Sequence, residues 1–104
     1  MATPYAGEVA LVLDGESHVM KLTLGALAEL EGWLQADSLP ALVERFETGG
    51  FTARDVLALV CAGLRGGGWQ GEPADLAKAE LGGGPLEAAR AAAQLLALSF
   101  RPPQ

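Results

Sequence analysis

Few residues in this 104-residue chain have the chemistry to act on a substrate. There is one histidine, His18, and one cysteine, Cys61. A nucleophilic site needs its nucleophile within hydrogen-bond reach of a base. Alternation along the strand puts Ser17 on the face opposite His18, and no sequence pattern brings another nucleophile to it. Cys61 sits in the most apolar stretch of the chain, Val56 to Leu64, and reads as a small buried hydrophobe. One His and one Cys do not make a zinc site. The carboxylate pairs Glu29/Glu31 and Glu44/Glu47 have the look of acid–base dyads, but solvated helix faces produce the same spacing. The glycine runs Gly66–Gly68 and Gly82–Gly84 follow no strand and lack the Lys-Ser/Thr of a phosphate loop, so they read as helix connectors. The expectation is a protein without catalysis, cofactor or metal.

Two side chains invite a different chemistry, that of binding a partner. Trp69 stands in "GGGWQGEP", where a large aromatic has few local neighbours. It either folds back on the core or anchors a partner. Leu98 lies off the main apolar stripe expected of the last helix. Both are placed near the rim of an apolar groove expected on the helical side of the domain, which self-association would fill in the free protein.

The elements that position these residues follow from the pattern. Asp14-Gly15 between residues 8–13 and 16–24 predicts a hairpin with a type I′ turn. Its register pairs Leu13 with Glu16, Leu11 with His18, Val9 with Met20 and Glu8 with Lys21. Val9, Leu11, Leu13, Met20 and Leu22 then share the core face. Thr23 is suited to cap a first helix carrying Leu24, Leu27, Leu30 and Leu34, with Trp33 adjoining. Ser38 caps a second, with Leu39, Leu42, Val43 and Phe46 inward, ending at Gly49-Gly50. Thr52-Ala-Arg-Asp55 approximates a capping box for a central helix, Ala53 to Leu64, with Phe51 as a hydrophobic staple against Val56. Pro73 opens a short helix to about Leu81, and Pro85 opens an alanine-rich one with Leu86, Ala89, Ala93, Leu96 and Phe100 on one stripe. The fold class is therefore α+β: an N-terminal antiparallel hairpin with four to five helices packed on it. It forms a single domain, 1–104, with a core at 7–100 and tails at 1–6 and 101–104.

Composition narrows the partners. Seven basic residues face 13 acidic ones, for a formal charge of −6. That balance argues against nucleic-acid backbone. No apolar run is long enough to span a bilayer, and the N-terminus lacks the features of a signal peptide, so the expected location is cytoplasmic.

The chain resembles the small gene transfer agent proteins encoded among the tail genes of gene transfer agents and prophages. The resemblance rests on Gly7-Glu8-Val9-Ala10-Leu11, Leu13-Asp14-Gly15, the run Leu22-Thr23-Leu24-Gly25-Ala26-Leu27-Ala28-Glu29-Leu30-Glu31, Ser38-Leu39 and Ala62-Gly63-Leu64-Arg65-Gly66. It covers about residues 7–100 and is weakest from Gly67 to Pro85. It implies a phage tail assembly chaperone that binds the tape measure protein, or another tail protein, while the tube polymerises. The other role it implies is a structural, tail tube-associated component retained in the particle. That role ranks second here, because a tube subunit needs an extended sheet and one hairpin is visible.

Overall fold

The computed structural model describes residues 7–34 and 38–100. The tails expected at 1–6 and 101–104 lie outside the described residues. The order is β1 (Val9–Leu13), β2 (Glu16–Met20), α1 (Leu24–Leu34), α2 (Leu39–Thr48), α3 (Ala53–Gly66), α4 (Pro73–Lys78) and α5 (Gly84–Ser99). This is an α+β fold, an antiparallel hairpin followed by five helices.

The hairpin has the expected register, Val9 opposite Met20, Leu11 opposite His18 and Leu13 opposite Glu16. Asp14 and Gly15 both take positive φ, 51° and 82°. That is the geometry of a two-residue turn whose twist matches its strands. Alternation buries Val9, Leu11 and Leu13 and leaves Ala10 and Val12 exposed.

The second strand stops at Met20, short of the expected Leu24. Lys21 turns its N–H to the Gly63 carbonyl of α3, 2.9 Å away, and so leaves the ladder with β1. Thr23 then caps α1, its Oγ1 accepting from the Ala26 N–H at 3.1 Å. That cap fixes the helix rotation. Ala26, Leu30 and Leu34 turn inward, and Leu24, expected on the inner stripe, is 85% exposed at the helix start.

The central helix α3 packs against β2, α1, α4 and α5. Its C-terminal half, from Ala58 to Leu64, is buried all round. Close approach depends on residues without side chains. A Cβ at Gly63 would lie 2.6 Å from Leu95 Cδ2, and one at Gly66 would lie 1.9 Å from the Lys21 carbonyl oxygen. Helix and hairpin therefore meet backbone to backbone.

Two expectations about the C-terminal third need correction. The short α4 ends at Lys78, and Leu81 lies outside it, forming an isolated antiparallel bridge with Leu13. The last helix is rotated from its expected stripe. Ala88, Ala91, Ala92, Leu95 and Leu96 are buried, whereas Leu86 is 83% and Phe100 43% exposed. An alanine-rich helix packs on whichever face lets its partner come closest. Here that is the Leu95 face against Gly63.

Candidate partner-binding surface

The surface begins with α2. Ser38 caps it, its Oγ accepting from the Ala41 N–H at 3.2 Å, and Gly49 closes it in the left-handed conformation, φ 83°. Leu42 is fully buried and anchors α2 to the core, while Val43 and Phe46 are only half-buried. A bidentate ion pair fixes its orientation to α3: Arg45 Nε and Nη2 each donate to the Asp55 carboxylate at 2.8 Å. Asp55 also completes the capping box of α3, accepting from the Thr52 N–H at 2.9 Å while the Asp55 N–H donates to Thr52 Oγ1 at 3.1 Å. Burial works against the Asp55 charge, but the hydrogen bonds from Arg45 and Thr52 outweigh it and hold its pKa below the usual carboxylate value. A stack between Phe46 and Phe51, ring centroids 4.7 Å apart, makes the third tie.

Beside these ties α2 stands away from α5. Val43, Phe46 and Glu47 face Ala93, Leu96, Ala97 and Phe100 across an open cleft of about 390 Å³. A second apolar hollow of about 480 Å³ lies where the start of α3 meets α4 and the start of α5, with Val56, Leu57, Leu76 and Ala89 in its lining. Phe46 lines the first hollow and Phe51 the second. Of the stripe expected to face the core, Ala93, Leu96 and Phe100 line the α2–α5 cleft, and Ala89 lines the other hollow.

The two residues singled out for partner binding do not share a hollow. Trp69 packs half-buried on the core, and its backbone N–H donates to the Leu64 carbonyl at 2.9 Å. It lines an open, polar hollow of about 630 Å³ with Thr23, Gly25, Arg65 and Gln70. Leu98, half-buried on the last turns of α5, also packs against the core.

The polar hollow is built around Arg65. Its guanidinium donates to both Glu29 oxygens at 2.9 Å, to the Gly71 carbonyl at 2.7 Å and to Glu72 at 3.3 Å. The hydrogen bond from Arg65 lowers the Glu29 pKa. Glu29, which spacing set beside Glu31 as a possible dyad, is thus half of an ion pair joining α1 to the end of α3. Sequence reading missed both arginine pairs, because each joins residues on different helices.

Cys61 is fully buried, and burial pushes its thiol up to about 11. His18 is half-buried on β2 opposite Leu11. Among the described residues, no three His, Cys, Asp or Glu side chains cluster so as to hold a metal ion. Among the same residues, no helix is long and apolar enough to cross a membrane.

What surrounds these hollows is thus a small helical domain on a hairpin, with two open apolar hollows on its helical side. Residues 6–101 match the model of the family described as "Phage tail tube protein, GTA-gp10", and the chain belongs to that family. No curated protein and no solved structure matches it.

Proposed function

We propose that the protein is a structural, tail tube-associated component of the tail of a gene transfer agent or prophage, retained in the particle. The observation that carries this reading is the family match, which runs from residue 6 to residue 101. The role is non-enzymatic and needs no cofactor. It is exercised in the cytoplasm by contact with other tail proteins, and the two apolar hollows, both lined in part by α5, suit such contacts.

A second reading is an assembly chaperone that binds the tape measure protein and then leaves. Its support is the small sheet: among the described residues, two strands and one bridge offer little from which to build a ring of subunits. A homo-oligomer is compatible with either reading. Mass spectrometry of purified particles, with a deletion strain beside it, separates the two. A fixed ratio to the tube subunit supports the retained component. Absence from particles that nonetheless require the gene supports the chaperone.

A further inference from the structure

The hairpin turn holds a pair of atoms able to react with each other. Asp14 is the one aspartate of the chain followed by glycine, and the chain has no asparagine. Both turn residues are exposed, and a Cβ on Gly15 would meet nothing within 4 Å. Among the described residues the Gly15 N–H has no hydrogen-bond partner. An uncrowded glycine nitrogen beside an aspartate can close on the side-chain carboxyl carbon to give a five-membered cyclic imide. Two restraints oppose that closure here. The ring needs Cβ and the Gly15 nitrogen eclipsed about the Asp14 Cα–C bond, and the turn, with Asp14 at φ 51°, sets that bond otherwise. The second restraint comes from far along the chain. Glu80 holds Asp14 at two atoms: the Asp14 N–H donates to the Glu80 carbonyl at 2.8 Å, and Asp14 Oδ1 accepts from the Glu80 N–H at 2.9 Å. The Leu13–Leu81 bridge and the Gly82 N–H, which donates to the Val12 carbonyl at 3.0 Å, keep Glu80 in place. Carrying the carboxyl over to Gly15 draws Oδ1 off the Glu80 N–H, so ring closure has to break this grip.

We propose that Asp14 is a site of isomerisation to β-linked aspartate, and that the Glu80 grip is what holds the reaction off. The Gly15 nitrogen gives up its proton and attacks Asp14 Cγ. An N–Cγ bond forms, the Cγ–O bond of the protonated carboxyl breaks, and its oxygen leaves as water. Water then adds to the Asp14 main-chain carbonyl carbon of the imide, and the bond from that carbon to the Gly15 nitrogen breaks. The chain now runs through Cγ, and the former main-chain carbonyl is a free carboxyl group. The water lost in the first step returns in the second, and no oxidant or reductant takes part. The product carries one extra backbone atom in a turn built for two residues. The pairing of Leu13 with Glu16, and with it the register that buries Val9, Leu11 and Leu13, is disturbed. This chemistry is independent of the tail-component reading.

Glu80→Pro is the test. It deletes the N–H that Asp14 Oδ1 accepts and keeps the carbonyl. Ala79 before it is already extended, φ −78° and ψ 155°, as a residue preceding proline should be. Purified wild type and variant are incubated at the same pH and temperature. β-Linked aspartate is measured by isoaspartyl methyltransferase labelling, located to the peptide that holds Asp14-Gly15. The variant, shown to be folded by a cooperative melting transition, is expected to accumulate it roughly fivefold faster, as the loss of one hydrogen bond gives. Equal rates, absence of reaction in both included, overturn the proposal. If Glu80→Pro does not fold, Leu81→Ala loosens the same segment by trimming a half-buried side chain. A faster rate in that variant supports the proposal, and an unchanged rate overturns it. The wild-type chain gives a further check without any substitution. It should isomerise at least tenfold faster unfolded in urea than folded, and equal rates overturn the claim that the fold protects this turn.

Discussion

The C-terminal end of α3 and the whole of α2 are helical segments held in opposite ways. The first meets the hairpin backbone to backbone, with Gly63, Gly66 and Gly67 leaving no space for even a methyl group. The second is tied at three points, Leu42, the Arg45–Asp55 pair and the Phe46–Phe51 stack, and leaves an apolar cleft toward α5. Contact without gaps makes one unit of hairpin and helix, since interiors packed to crystal density transmit any change of volume. Point attachments fix a helix while leaving surface beside it available to other molecules. The difference separates the part of the molecule that holds its shape from the part with apolar surface to offer.

The comparison breaks most sharply at Gly66. Gly66→Ala drives a methyl into the Lys21 carbonyl, which is main chain with little room to move. A loss of about 3 kcal/mol or more is expected, at the upper end of overpacking costs. A denaturant midpoint within error of wild type would end the claim of backbone contact. On the other helix the largest effect belongs to Asp55→Asn, which strips the charge from one end of a nearly buried pair. About 2–3 kcal/mol should go, toward the low end for such pairs because Arg45 keeps a quarter of its side chain in solvent.

That pair also gives the comparison a pH axis. The Asp55 pKa is lower folded than unfolded, so its contribution is in place above the ordinary carboxylate range, about pH 4. It is lost as pH falls through the depressed folded value. Wild type should lose stability below about pH 4 more steeply than Asp55→Asn, and parallel acid denaturation curves would show that the pair does not act this way. Ser38→Ala, which removes the cap of α2, should cost about 1 kcal/mol and raise amide exchange in its first turn. Smallest of all, Leu86→Glu alters an 83% exposed side chain and should shift stability by roughly 0.5 kcal/mol or less. A larger drop would show that the expected stripe of α5 does face the core.

Local signals were legible in the sequence and distant ones were not. Asp14-Gly15 dictates the register because a two-residue turn allows one pairing, and Thr23, Ser38 and Thr52 mark helix starts because their hydroxyls reach an N–H three residues on. Arg45 and Asp55 meet only because α2 and α3 cross at a particular angle, which no spacing encodes. The rotation of α5 escaped for another reason. A helix with alanine on several faces has no stripe strong enough to choose one, and the choice was made by Gly63 on α3. Leu81 looked like the end of a helix because nothing near it in sequence says that its partner is Leu13.

The bridge between Leu13 and Leu81 also has a meaning in time. The residues that first shield the edge of β1 are made almost 70 positions after it. At roughly 5–20 residues per second of synthesis, the hairpin waits on the order of 4–14 s for them. A lone two-stranded hairpin is marginal in water. The N-terminal segment is therefore the first part of the domain to be made and among the last to be secured. For that interval its whole outer edge is open to whatever else is being translated nearby.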